Sequence, residues 1–346
     1  MIGLGLVGSS IAAALRARGW HVTGADRDPA REARAGELAM IDAGGDDPAS
    51  EVSFIATPSS AVGTIALGLL ERGPGVVTDV AGVKAPIAAE VLDPRFVGGH
   101  PMAGSEQEGP DGADPDLFVG ATWVLTPTAS TDPRAFSTVR QVVSSLGADV
   151  VALAPERHDE LVAVVSHVPH LTAAALMSLA GASEVDRVVL MRLAAGGFRD
   201  MTRVAAGSPA IWPDICRDNA GAICAVLDRL LGRLGEVRRM VADADRMALE
   251  ELLEGARAAR RNLPRRASRP VEVVELRVVV PDRPGVLAEV TTLAGELGVN
   301  IEDLEIAHST EGQGGVLLMV VAMVSAPAVV TALRDRGYKV AAGTLP

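Results

Sequence analysis

The chain opens Met1-Ile2-Gly3-Leu4-Gly5-Leu6-Val7-Gly8-Ser9-Ser10, and Gly3, Gly5 and Gly8 satisfy the pattern G-x-G-x-x-G. In a strand–turn–helix unit each glycine has its own task. The first turns tightly, the second lets a pyrophosphate approach the backbone, and the third lets the helix pack closely on the strand. The helix N-terminus then points its unpaired N–H groups at the phosphates. A helical pattern over Ser9–Arg18 and a strand candidate over Trp20–Ala25 follow, ending at Asp26. That is the distance expected for an acid that holds the ribose hydroxyls. Gly3, Gly5, Leu6, Val7, Gly8, Asp26 and Arg27 are therefore the candidate residues for a dinucleotide. A carboxylate at Asp26 repels a 2′-phosphate and favours NAD over NADP, while the cation at Arg27 pulls the other way. Only Met1 and Ile2 precede the glycines, where a first strand ordinarily has five or six residues, so an N-terminal segment missing from the chain is expected.

The pattern along the 346 residues divides the chain into three. Residues 1–153 alternate short apolar runs with helical periods, which predicts an α/β domain of Rossmann type, a parallel sheet flanked by helices. Further strand candidates are Val52–Ala56, Val76–Asp79, Phe96–Gly98, Thr122–Leu125 and Asp149–Leu153; helix candidates are Ser60–Glu71, Lys84–Val91 and Pro133–Leu146. Residues 154–263 lose the strand alternation. Apolar runs at helical spacing, such as Leu161–Ala180 and Ala220–Leu253, predict an all-helical domain that packs helix on helix, in part between two subunits of a homodimer. Residues 264–270 read as a solvated linker: Arg260, Arg261, Arg265 and Arg266 lie around Pro264 with no aromatic interleaved for base stacking. Residues 271–346 bring strands back in the order βαββαβ: Val273–Val280, helix Gly285–Leu297, Asn300–Ala307, Val316–Val324, helix Ala326–Arg336, Lys339–Ala342.

Composition excludes several classes. A net charge of −12 argues against general nucleic-acid binding, which needs a basic footprint. Apolar runs such as Val316–Val324 fall short of the ~20 residues of a membrane span, and no basic region precedes an apolar one as in a secretory signal. The expected location is cytoplasmic, with no membrane partner. The two cysteines, Cys216 and Cys224, read as reduced thiols in an apolar helix, and no Cys/His cluster has metal-ligand spacing, so no metal is expected.

Six histidines occur, and four of them, His100, His158, His167 and His170, fall where the first segment meets the second. His100 ends a strand in Gly98-Gly99-His100-Pro101-Met102-Ala103-Gly104-Ser105-Glu106, the end at which open sheets place their reacting groups. His167 and His170 lie in Ser166-His167-Val168-Pro169-His170, inside an apolar helical region where polar groups need partners.

These motifs, with Phe198-Arg199-Asp200-Met201-Thr202-Arg203 and Ile211-Trp212 after them, resemble the prephenate/arogenate dehydrogenase family in order and approximate spacing, from Ile2 to about Leu263. The resemblance implies a cyclohexadienyl substrate with a ring carboxylate and a 4-hydroxyl, oxidised by NAD⁺ with loss of carbon dioxide to an aromatic product, prephenate or arogenate being the alternatives. By the same resemblance His100 takes the hydroxyl proton as a neutral imidazole. Arg203 offers a planar fork to a substrate carboxylate, Ser166 and His170 hold the other end of the substrate, and His167 sits near the cofactor. Ser105, Glu106, His158, His167 and Asp200 are second-line or gating candidates. In Asp79-Val80-Ala81-Gly82-Val83-Lys84 the family often has a serine where this chain has Gly82, so orientation of His100 falls to a water or Ser105 instead.

Val280-Pro281-Asp282-Arg283-Pro284-Gly285-Val286-Leu287, with Gly298-Val299-Asn300-Ile301, resembles the ACT domain family, which implies an amino-acid effector. Tyrosine is the expected ligand, at Asp282, Gly285, Val286, Leu287, Asn300 and Ile301; a purely structural dimerisation module is the alternative. Two rival functions stay in view. A β-hydroxyacid dehydrogenase would need a lysine in the helical segment, and residues 151–262 contain none. A silent sensor of NAD and an amino acid is the other.

Overall fold

The computed structural model describes residues 1–104, 107–181, 193–194, 196–207, 209–261, 273–281, 283–308 and 314–344. Ser105, Glu106, Asp282 and the linker 264–270 lie outside the described residues. The chain separates into two units, Met1–Leu263 and Pro264–Pro346.

In the first unit, helix α1 (Leu6–Arg16) follows the glycine turn and buries Ile11, Ala12, Ala14 and Leu15. Strands β1 (Thr23–Gly24) and β2 (Ala43–Gly44) pair in parallel. The segment expected as strand from Trp20 shrinks to β1. Strands β3 (Val52–Ile55), β4 (Val76–Asp79), β5 (Phe96–Pro101), β6 (Thr122–Thr126) and β7 (Asp149–Ala152) form a five-stranded sheet in chain order. Ile2 joins the two sheets through parallel bridges to Ala25 and Ile55. Ile2 N–H donates to Phe54 O (2.8 Å) and its carbonyl accepts from Ala56 N–H (2.7 Å), while on the other side Gly3 N–H donates to Ala25 O (2.8 Å) and Ala25 N–H to Met1 O (2.9 Å), so a very short central strand is paired on both sides.

One pairing departs from an all-parallel Rossmann sheet: β5 and β6 run antiparallel, with His100 opposite Val124. Parallel neighbours need a crossover, usually a helix. The intervening stretch is rich in glycine and proline, and its one regular element among the described residues is a 3₁₀ turn at Pro110–Gly112. The core is centred on Trp123, which is fully buried, with Phe118 tilted against it at 5.1 Å and Phe54 edge-on at 6.3 Å. Helices α2 (Pro29–Glu37), α3 (Ser59–Arg72), α4 (Ala85–Glu90) and α5 (Pro133–Ser145) flank the sheet.

The chain then turns helical. Helix α6 (Pro155–Val162), a π turn (Ala163–His167) and α7 (Val168–Gly181) run on without a break. Pro155–Ala180 is long enough to cross a bilayer, with a mean hydropathy of 1.5 over its most apolar stretch, longer than the sequence runs suggested. Its His158 and His167 side chains bond to His100 of β5 and to Asn219, so it packs against the unit, although only 28% of that stretch is buried. Beyond it come α8 (Gly196–Thr202), 3₁₀ turns Arg203–Ala206 and Pro209–Ile211, α9 (Trp212–Asp218), α10 (Ala220–Ala242) and α11 (Arg246–Arg261). The apolar stretch expected as one helix from Ala220 to Leu253 breaks after Ala242, where Ala244 takes φ +53°.

The second unit is β8 (Val273–Pro281), α12 (Val286–Glu296), β9 (Ile301–His308), β10 (Gly314–Ala322), α13 (Ala326–Asp335) and β11 (Lys339–Thr344), the βαββαβ order read from the sequence. Its antiparallel sheet has the order β11-β8-β10-β9. Alternate residues Leu276 and Val278 of β8 and Leu317 and Met319 of β10 pack with Val290 and Leu293 of α12 and Leu333 of α13, so both helices cover one face.

Candidate active site

The glycine turn has the geometry a phosphate needs. Gly3 sits at φ +91°, and a Cβ there would lie 2.4 Å from the Ala56 carbonyl oxygen; a Cβ on Gly8 would lie 1.9 Å from Gly3 O. Gly5, directly before α1, has open space where its Cβ would be. Backbone is thus bare in front of the helix N-terminus, with Leu6 and Val7 in its first turn. Asp26 is tied beneath this turn: Oδ2 accepts from Leu4 N–H (2.7 Å) and Oδ1 from Asp28 N–H (2.9 Å). An open cavity of about 590 Å³ extends beyond it, lined by Asp26, Glu32, Gly36, Ile41 and Gly44. Arg27 is exposed. These residues fit a dinucleotide: the bare backbone at Gly5 would admit a pyrophosphate, and the Asp26 carboxylate would accept ribose hydroxyls.

His100 lies near the end of β5, half-buried. Its Nδ1 is 2.9 Å from His158 Nε2, and His158 Nδ1 is 2.7 Å from Asp159 Oδ1. His158 and Asp159 are both buried on α6. Asp159 also accepts the N–H groups of Lys84 (Oδ1, 2.8 Å) and Ala85 (Oδ2, 2.8 Å), capping α4 from a distant helix. A carboxylate only accepts, so with His158 neutral its Nδ1 donates to Asp159 and its Nε2 accepts from His100 Nδ1–H. The Nε2 of His100 is then a lone pair, and it faces position 82, where a Cβ would lie 3.8 Å away. Burial first, then the cost of a second positive charge beside protonated His158, Lys84 or protonated His167, pushes the His100 imidazole well below its ordinary range, so it is neutral at pH 7. Among the described residues His158 orients His100; Ser105, one of the candidates named above, lies outside them.

His167 and His170 gather around Trp212. His170 stacks on its ring at 3.7 Å, and His167 meets it edge-on at 6.2 Å. Asn219 Nδ2 donates to the Asp159 carbonyl (2.9 Å) and lies 3.2 Å from His167 Nδ1, linking this group to the His158–Asp159 pair. Burial lowers His167 to about 4 and His170 in the same direction. Ser166 is half-buried on the π turn. Arg203 begins the 3₁₀ turn that ends at Gly207, where a Cβ would stand 3.7 Å from His170 Cε1, so its turn closes on the same histidine. Asp200 is exposed on α8.

Asp159, Asn219 and the Lys84–Asp79 pair escaped the sequence reading. Asp159 bonds to residues 74 and 75 positions away, and Asn219 to one 60 away, so no local spacing marks them.

A glycine turn over a helix N-terminus, an acid beneath it, and a neutral histidine at the sheet's edge facing a helical domain define a nucleotide-dependent dehydrogenase with a small appended module. The family models agree: "Prephenate dehydrogenase, nucleotide-binding domain" matches residues 11–152, "Prephenate dehydrogenase, dimerization domain" residues 154–255, and "ACT domain" residues 274–337. The chain belongs to the prephenate dehydrogenase family. It is 34% identical to the prephenate dehydrogenase of Bacillus subtilis (strain 168) over 333 residues, covering 92% of this chain and 90% of that one. Among solved structures it is similar to the prephenate dehydrogenase of A. aeolicus in complex with hydroxyphenyl propionate and NAD⁺, at TM-score 0.72 and 29% identity over 76% of this chain and 96% of that one. It is also similar to Synechocystis arogenate dehydrogenase, at TM-score 0.67 and 32% identity over 75% and 97%.

Proposed function

We propose that the protein is an NAD⁺-dependent prephenate dehydrogenase, oxidising prephenate to 4-hydroxyphenylpyruvate with loss of carbon dioxide on the route to tyrosine. The observation that carries this reading is the bare Nε2 of a neutral His100, aimed by His158 and Asp159 at the open space over Gly82. Bound NAD⁺ supplies the hydride acceptor. His100 accepts the hydrogen bond of the substrate's 4-hydroxyl and draws off its proton as the C–H bond opens. Arg203 pairs with a substrate carboxylate, Ser166 and His170 hold the other end, and the ring carboxylate departs as the ring becomes aromatic. His167 stands near the cofactor, and Asp200 and Glu106, the latter outside the described residues, are gating candidates.

Asp26 favours NAD⁺, and Glu32 in the same cavity adds a second carboxylate against a 2′-phosphate. The functional form is a cytoplasmic homodimer built through the helical segment, with tyrosine bound at the Arg283–Gly285 turn of the C-terminal unit as effector. Gly285 takes φ +88° there, directly before α12. Prephenate is favoured over arogenate because, beyond Glu106, the sequence offers no further carboxylate in the 98–106 motif to pair an ammonium. Steady-state NADH formation with each compound tests the reading: prephenate should give the higher kcat/KM. Turnover of arogenate alone would reassign the substrate, and turnover of neither would support the sensor alternative.

A further inference from the structure

Gly99, the residue before His100, is held on both sides by one buried ion pair. Its N–H donates to Asp79 Oδ1 (3.1 Å), and its carbonyl accepts from Lys84 Nζ (2.8 Å). Lys84 Nζ also bonds Asp79 Oδ2, and both side chains are essentially inaccessible to solvent. The pair stands where the sheet fails. Strands β4 and β5 pair at Val77–Phe96 and Thr78–Val97 and no further, and from Gly98 onward β5 pairs with antiparallel β6 instead. Beyond Val97, then, the β4 side of the strand that carries His100 has no backbone ladder. Asp79 ends β4 and Lys84 precedes α4, and their side chains take over the donor and acceptor that a neighbouring strand would have provided. Gly99 makes the approach possible, since a Cβ there would lie 2.7 Å from the Asp79 carbonyl oxygen.

A buried ion pair is poor value as a stabiliser, because desolvation offsets its attraction. Its presence one residue from the proton acceptor suggests another use. We propose that Lys84 and Asp79 are a positioning pair for His100, fixing the strand end that carries the imidazole and setting a positive charge behind it that holds it neutral. This rests on the reading of His100 as the proton acceptor. Among the described residues, the titratable groups around that ring are Lys84 with its partner Asp79, His158 with Asp159 from α6, and His167 from the π turn. Lys84 is the one fixed cation in the set. It opposes protonation of His100, alongside burial and the two histidines. Burial lowers Lys84 itself, while the Asp79 carboxylate and, more weakly, Asp159 oppose that and favour the ammonium.

The experiment is a titration of His100 in the full-length protein, followed by NMR of ¹³C-labelled histidine, beside the pH profile of kcat/KM. In Lys84→Met the cation is gone and Asp79 is left behind, and both changes favour a protonated His100. Its midpoint and the acid limb of the profile should move up by about one pH unit, while Lys84→Arg keeps the wild-type positions. If Lys84→Met does not fold, the double variant Asp79→Asn/Lys84→Met removes both charges and should show the same direction. A folded variant whose His100 midpoint stays at the wild-type position, with only stability reduced, overturns the proposal. The titration needs no substrate, so its outcome is separate from that of the prephenate assay.

Discussion

Between the Asp159 carboxylate and the His100 ring, the order of donors and acceptors settles which nitrogen carries a lone pair. Asp159 can only accept, so a neutral His158 is protonated at Nδ1, and His100 is turned with its proton toward His158. Replacing Asp159 by Asn keeps the shape and offers an NH₂ group where an acceptor was needed. That variant should lose on the order of 10²–10⁴ in kcat, as when a histidine is held in the wrong tautomer, while NAD⁺ affinity measured by calorimetry stays near wild type. The histidines also tie stability to pH. Burial lowers His167 from 6.5 to about 4. Between those values the unfolded ring takes a proton and the folded ring does not, so stability present above pH 6.5 is lost as pH falls toward 4, by up to about 3 kcal/mol. The shift of His100 acts in the same direction. Thermal unfolding should show Tm falling from pH 7.5 to 5, and a flat profile would contradict a buried neutral His167. At this scale the sequence marked His100 and His158 as candidates but not the residues that tie them into the fold. His100, Gly5 and Asp26 stand in local patterns. Asp159, Asn219 and the Asp79–Lys84 pair are ordinary residues until folding brings them to His100 and His167.

Elements followed periodicity where it was strong and departed from it where a neighbour intervened. Helix α2 was not foreseen, although Asp28 caps it by accepting from Ala30 N–H and Pro29 stands at its first position, both readable start signals. Strand β5 runs on through His100 to Pro101 because antiparallel β6 pairs it there, and a pairing partner cannot be read from one strand's own residues. The helical segment shows the opposite case. Its apolar content predicted packing beyond one chain, and α10 and α11 indeed leave Leu231, Leu234, Val241 and Leu253 at 51–64% exposure. So much apolar surface on two long helices calls for a covering partner. Leu234→Glu should convert a dimer to a monomer in multi-angle light scattering, and an unchanged mass would move the interface to another face.

For the whole molecule, the sequence and the structure agree on an α/β unit, a helical segment and a separate small βαββαβ unit, since each has its own period and its own core. The Rossmann sheet differs from expectation at one antiparallel junction, for want of a crossover helix. The small unit buries Val286, Val290, Leu293, Leu317 and Leu333 in a cluster of its own, and Arg283 is anchored to Glu289 at 2.6 Å beside the Gly285 turn. If tyrosine binds there, 1 mM tyrosine should raise the Tm of the full-length protein by mass action, and no shift would favour a purely structural module.

The proposed oxidation depends most on His100 as the proton acceptor. The direct measurement is NADH formation from prephenate by wild type and by His100→Asn, with NAD⁺ binding followed by calorimetry. The expected result is a kcat lower by ~10² or more with NAD⁺ affinity near wild type. A His100→Asn protein that turns over prephenate at the wild-type rate would contradict it.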